Sequence, residues 1–292
     1  QTDRQTDRQT EIKTQRQTAI EQGGPRQLDW KTDNRRGAVV AVEIESGAIV
    51  TYVSSPSFPI NKITNGMSSA DFNQLLNDQD KPFFDRAGQG RYSPASTIKP
   101  AIGLYGLENQ IIDWEYSIDD PGFFVLPEDG RIYRGWKKGG HGNITLMDAI
   151  IESSNTFFFS LAYNSEIDKL VEHLSNFGFG RNICIDCFIP DDGLLPNPEW
   201  KMNTHNFGWY KGDTVNLGVG QGYLSATPIQ LAYYSAFLAN KGELSDFSFV
   251  QIKENNGKND TRTSLIITEG GGISSAAGFG AIDGFNQALK TA

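Results

Sequence analysis

The sequence predicts an α+β fold in which helices cover an antiparallel sheet, and two observations carry that reading. Val- and Ile-rich runs come as a pair near the start of the globular part, and a succession of apolar, cappable helices follows them. Residues 35–58, "RRGAVVAVEIESGAIVTYVSSPSF", hold two such runs around "ESG", the pattern of a β-hairpin with Gly47 in the turn. A short amphipathic helix is expected near 69–77, inside a polar stretch punctuated by glycine. The next helix starts around Ser96, because Pro94 and Ala95 lead into a turn and Pro100 is tolerated in a first helical turn. Further helices are expected near 146–163, 165–177 and 228–241, the last with Thr227 as cap and Pro228 at the first position.

The two ends read differently. Residues 1–34 form a low-complexity segment whose Gln-Thr repeat carries almost no apolar side chains, so it is expected to be disordered. Residues 35–292 form the globular domain. Its end is Gly-rich and then helical from about 280, so the sheet begun at the hairpin is expected to lack C-terminal strands.

Composition excludes some classes of function. A net charge of −9, with no basic stripe interleaved with aromatics, argues against nucleic acid as a partner. No apolar run reaches the ~18 residues of a membrane-spanning helix, and no charged-then-apolar leader opens the chain. Cys184 and Cys187 have the spacing of a metal knuckle or redox pair, but no second ligand pair accompanies them. In an extended chain cysteines three apart stand roughly 10 Å apart, beyond disulfide reach, so they are expected to be small buried hydrophobes.

Three motifs carry candidate chemistry. "RYSPASTIKP" places Ser96 three residues before Lys99, so on a helix the hydroxyl and amine share one face. A serine needs a neighbour to take its proton, and a lysine can do so only if burial or nearby cations lower its pKa. Taken alone, the pattern equally describes a helix cap and a solvated lysine. "ESSNTFFFSLAY" sets Ser153, Ser154 and Asn155 ahead of an aromatic run, where the plain reading is an N-cap. "GDTVNLGVGQG" places Asp213 and Thr214 before a glycine-dense stretch that, alone, reads as a loop of backbone turns.

Together and in this order the three resemble the transpeptidase domain of class B penicillin-binding proteins. Ser96 and Ser153 are 57 residues apart, similar to that family. The strings "GWKKGGHGNITLMDAI", "NFGFGRNICID" and "LLPNPEWK" resemble its elongation-specific branch, over about 35–245. The resemblance implies a serine β-lactamase/penicillin-binding transpeptidase-like fold and a peptidoglycan D,D-transpeptidase acting in cell elongation and shape. Ser96 is then the nucleophile that forms an acyl-enzyme with a stem peptide, and Lys99 its base. Ser153 relays a proton toward the leaving D-Ala nitrogen, and Asn155 holds the substrate backbone or the lysine. The Ser96 backbone N–H supplies one oxyanion donor. Implied partners are peptidoglycan stem peptides, β-lactam antibiotics and a membrane glycan polymerase, at the periplasmic face of the inner membrane, with the anchor outside this chain.

The sequence also departs from the family. The third motif, Lys-Thr-Gly or Lys-Ser-Gly, is not found; "LKTA" at 289–292 resembles the helix before that strand, so the domain is expected to stop short of it. Some relatives hold zinc with Asp, Asp, His and Cys, where this chain has Asp120, Gly135, His141 and Ser154; no metal and no cofactor are expected. Two alternatives remain open at this stage. One is a serine β-lactamase, although no Glu stands in a Glu-x-x-Leu-Asn setting, and the other is a penicillin-recognising scaffold without catalysis.

Overall fold

Strand alternation and one left-handed glycine build the first element. β1 (Gly37–Val42) and β2 (Ile49–Ser55) pair antiparallel, from Gly37 opposite Ser55 to Val42 opposite Ile49, with a register shift between Ala41 and Val42. Gly47 turns the chain at φ +69°, a value that costs a residue without Cβ little. Val40, Val42, Ile49 and Tyr52 face inward while Val39 and Val50 face out, as a half-buried pleat requires. The computed structural model describes residues 36–44, 46–184, 187, 190–244 and 247.

After the hairpin come α1 (Ile60–Thr64) and α2 (Ser69–Leu76), the latter capped by the Ser68 hydroxyl, which accepts from Asp71 N–H. A 3₁₀ turn, Ala95–Ile98, then feeds α3 (Lys99–Glu108). α3 is the axis of the core: Lys99 and the stretch Ala101–Gly106 are buried along it. The short strands β3 (Ser117–Asp120), β4 (Phe123–Val125), β5 (Ile132–Arg134) and β6 (Gly142–Thr145) follow. α4 (Leu146–Ile151), α5 (Asn155–Tyr163), α6 (Ile167–Asn176), α7 (Pro198–His205), α8 (Lys211–Leu217) and α9 (Pro228–Ala239) complete the described part. Phe157, Phe158, Leu161, Leu170, Leu174, Tyr233 and Phe237 from three of these helices join Ile98, Ile102 and Leu104 in one cluster. The hairpin packs on this same cluster, so strand pair and helices share a core, as an α+β fold requires.

The antiparallel strands form three separate pairs, β1–β2, β3–β6 and β4–β5, among the described residues. Two expectations need correction. The helix expected over 146–163 is two, because Glu152–Ser154 leave the helical path and Ser154 caps α5 anew. Cys184 and Cys187 are joined as a disulfide. The Asn182 side chain accepts from Cys184 N–H at 3.0 Å, and the Cα atoms of the two cysteines stand 5.5 Å apart, within bridging range and well short of an extended spacing. The Gln-Thr repeat and the 289–292 stretch lie outside the described residues.

The α9 start is built as its sequence suggests. Thr227 accepts from Gln230 N–H, Gln230 returns the bond to Thr227 N–H, and Pro228 occupies the first turn. Buried Gln230 also donates to the carbonyls of Gly178, Arg181 and Asp192 at 2.8 to 3.1 Å, which ties three points of the α6–α7 connection to one helix end.

Candidate active site

The site forms where α3 begins and where α4 hands over to α5. α4 ends in a reciprocal pair of capping bonds: Ser153 N–H donates to Ile150 O at 3.2 Å and Ser154 N–H to Ala149 O at 2.9 Å. Such an ending needs a left-handed residue, normally glycine, and here it is Ser153, with φ +51°. That conformation costs a side-chain-bearing residue roughly 1–2 kcal/mol. It also aims both oxygens of Ser153 at α3.

Lys99 meets them there. Its ammonium donates to Ser153 O at 2.7 Å, to Asn155 Oδ1 at 2.8 Å and to Ser153 Oγ at 3.1 Å, so all three N–H groups are used. The side chain is only 2% exposed, and the Phe158 ring lies 5.4 Å from the nitrogen. Burial pushes the Lys99 amine down to about 8, since no carboxylate among the described residues offsets the lost hydration. At pH 7 such a group is neutral about a tenth of the time, against less than a thousandth for an ordinary lysine.

Ser96 sits beside this group without joining it. Its side chain is exposed and makes no hydrogen bond among the described residues, where direct bonding to Lys99 was one geometric option of the Ser-x-x-Lys spacing. The reason is that Ser96 belongs to the 3₁₀ turn while Lys99 opens the α-helix, and the lysine's donors are satisfied by the α4–α5 junction. A Ser96-to-Lys99 transfer needs the loss of one Lys99 proton and the approach of the two groups on substrate binding.

Behind the junction lies a second buried network. Asp120, 2% exposed, accepts from the Ser154 hydroxyl at 2.8 Å and from Gly122 N–H at 2.7 Å, and pairs with His141 Nδ1 at 2.7 Å. Burial alone would raise the Asp120 carboxyl, but the bonds from His141, Gly122 and Ser154 outweigh it and hold it below the usual carboxylate range. These are the positions at which some relatives bind zinc, and they do not fit that ion. Gly135 offers no side-chain donor atom, the Ser154 hydroxyl is committed to Asp120 and to capping Phe157 N–H, and His141 and Asp120 bind each other. No group of three metal-ligating side chains occurs among the described residues.

Asp213 and Thr214 are turned to structure. Asp213 accepts from Tyr210 N–H at 2.8 Å and pairs with buried Lys201, and Thr214 accepts from Trp209 Nε1 at 2.8 Å. Asp120, His141 and the left-handed state of Ser153 were not among the catalytic candidates. Only "SSN" and the family's metal positions hinted at them.

The family model for the penicillin binding protein transpeptidase domain matches residues 37–277. The chain belongs to that family. Among curated transpeptidase relatives, the peptidoglycan D,D-transpeptidase MrdA of Acinetobacter baumannii is 45% identical over 208 residues, 71% of this chain and 31% of the relative. MrdA of Escherichia coli strain K12 is 41% identical over 207 residues, 71% of this chain and 33% of its own length. The chain thus spans about a third of the length of these curated relatives. The penicillin-binding protein 2 (PBP2) of Pseudomonas aeruginosa, solved in complex with WCK 5153, superposes with a TM-score of 0.71 at 41% identity, covering 73% of this chain and 47% of that one. PBP2 of Helicobacter pylori, solved with MreC, gives 0.69 at 32% identity, covering 74% and 40%. The penicillin-binding transpeptidase fold and the α+β class are therefore shared with these proteins.

Ser153→Gly separates geometry from chemistry at this site. Glycine relieves the left-handed strain but returns part of the gain as unfolded-state entropy, so thermal unfolding should shift by no more than about 4 °C. Penicillin acylation should fall on the order of 10²-fold, because the hydroxyl beside Lys99 is gone. Calorimetry and stopped-flow acylation of the same preparation check both halves.

Proposed function

We propose that this chain is the acylating part of a peptidoglycan D,D-transpeptidase, cross-linking stem peptides in cell elongation through a serine acyl-enzyme and taken up by β-lactams at the same serine. One observation carries the reading most: a buried lysine with a lowered pKa, bonded to Ser153 and Asn155 three residues after an exposed serine. Ser96 Oγ attacks the carbonyl of the penultimate D-Ala while neutral Lys99 receives its proton, and the oxyanion meets the Ser96 N–H. Ser153 passes the proton on to the leaving D-Ala nitrogen as the amide bond breaks. An amine of a second stem peptide then displaces Ser96 and completes the exchange. Among the described residues no carboxylate hydrogen-bonds Ser96 or Lys99, which supports slow hydrolysis of the acyl-enzyme over lactamase turnover.

The solved complexes of relatives extend the proposal to location and partners. The H. pylori relative was solved with MreC, and another relative, at 29% identity and TM-score 0.62, in a peptidoglycan synthase complex of polymerisation and cross-linking. By that likeness the chain works at the periplasmic face of the inner membrane beside a glycan polymerase. No described helix is long and apolar enough to cross a membrane. Residues 35–292 would form the transpeptidase domain, with 1–34 outside it.

Labelled penicillin tests the reading. The intact chain should gain about one equivalent of adduct, mapped to the peptide holding Ser96, and Ser96→Ala should gain none. An adduct that persists in Ser96→Ala, or sustained turnover of a β-lactam reporter, contradicts it.

A further inference from the structure

The stretch 220–226 clamps the segment that delivers Ser96, and neither the hydrogen-bonded lysine group nor the family motifs assign it that role. Tyr92 N–H donates to Ala226 O at 2.9 Å and Ala226 N–H returns a bond to Tyr92 O at 2.8 Å. Three residues on, Ala95 N–H donates to Gly220 O at 2.9 Å. Between these clamps the chain has only Ser93 and Pro94 in which to adjust.

Ala95 itself is held at φ +50°, in the left-handed region that a residue with a Cβ rarely enters. This turn at Ala95 swings the chain from its pairing with 226 into the 3₁₀ turn, which exposes Ser96 and buries Lys99 three residues later. Relaxation of Ala95 to the right-handed region would rotate the Ala95–Ser96 peptide, and with it both the nucleophile and the Ser96 N–H.

What holds Ala95 there is a glycine against its backbone. A Cβ on Gly220 would stand 2.2 Å from Ala95 O, 2.7 Å from its N and 2.8 Å from its C, and Gly220 is itself at φ +69°. The residue two before it is seated as tightly: a Cβ on Gly218 would lie 2.4 Å from Ala162 Cβ and 2.9 Å from Phe158 O. Both those contacts are on α5, the helix that Asn155 opens. The α8 end therefore bridges the two halves of the site, with α5 and Asn155 on one side and Ala95 and Ser96 on the other.

We propose that Gly220 is a positioning residue that locks Ala95 in its left-handed state and so fixes Ser96 relative to Lys99, Ser153 and Asn155. The kinetic part rests on the acyl-enzyme reading above; the structural part does not. A Cβ at 220 displaces the Ala95 backbone, and misplacement of a nucleophile by about 1 Å costs on the order of 10² in rate.

Three variants of the full chain test this: Gly220→Ala, Gly222→Ala, and Gly220→Ala combined with Ala95→Gly. Gly222 is the matched control, since it is also left-handed at φ +74° but its Cβ would meet only the Asn216 side chain, at 3.1 Å. Gly220→Ala should lower the penicillin acylation constant about 10²-fold and speed amide exchange at Ala95 at least about tenfold. Gly222→Ala should lose comparable thermal stability yet acylate within about threefold of the parent. The double variant should recover at least about tenfold in acylation, because glycine at 95 can yield where alanine cannot. Unchanged Ala95 exchange in Gly220→Ala, or an equal acylation loss in Gly222→Ala, overturns the proposal. If the parent chain takes no penicillin the acyl-enzyme reading fails, while the Ala95 exchange comparison still decides the role of Gly220. Should Gly220→Ala not fold, the double variant decides: its folding and acylation support the proposal, and its failure to fold locates the clash elsewhere and overturns it.

Discussion

Lys99→Arg abolishes penicillin acylation and leaves the fold standing. Arginine keeps the charge but cannot release its proton in a protein, so a base at this position is lost outright. Removal of a general base costs about 10²–10⁴-fold in rate, and the larger figure is expected because no second base reaches Ser96 among the described residues. The guanidinium retains donors for Ser153 O and Asn155 Oδ1, but it is larger than the ammonium it replaces in a buried site. Overpacking of about 1–3 kcal/mol should therefore lower the melting temperature by several degrees without unfolding the chain at 25 °C. Stopped-flow acylation and calorimetry measure the two effects, and acylation at the parent rate would remove Lys99 from the mechanism.

Asp120→Ala gives the largest stability loss expected away from the lysine. The substitution strands the Ser154 hydroxyl, the Gly122 N–H and the His141 ring together in a buried position. Removing one partner of a buried, charged network costs about 3–5 kcal/mol, or a melting temperature lower by about 10 °C in a domain of this size. Acylation should fall with it, since Ser154 is the link between Asp120 and the left-handed Ser153. Asp120→Asn should lose less, because the amide oxygen can still accept from Ser154. Equal melting temperatures for parent and Asp120→Ala would show that the network is not structural.

What the sequence disclosed followed from local rules, and what it hid followed from long-range ones. The β1–β2 hairpin was legible because Val and Ile alternate around a glycine that must turn, and α9 because Thr227, Pro228 and Gln230 spell its start. Resemblance, more than spacing, singled out Ser96, Lys99, Ser153 and Asn155, and the structure brings the last three together while Ser96 stays unbonded beside them. The break between α4 and α5 was hidden, since "AIIESSNTFFFSLAY" keeps an apolar helical pattern across it and only backbone geometry reveals Ser153 at φ +51°. The disulfide was misread for a similar reason: an extended chain was assumed where the Cα atoms of the two cysteines stand 5.5 Å apart. The contact of Gly220 with Ala95 spans more than a hundred residues and leaves no trace in either segment alone.

The pH dependence of acylation tests the central claim most directly, because it reads the protonation of Lys99 in the working protein. Only the neutral amine can take the Ser96 proton, so the acylation constant should rise with pH, reach half its maximum near the lowered Lys99 value of about 8, and level off above it. A profile that is flat through that range, or one that keeps climbing toward the ordinary lysine value of about 10.4, would contradict the assignment of Lys99 as the base.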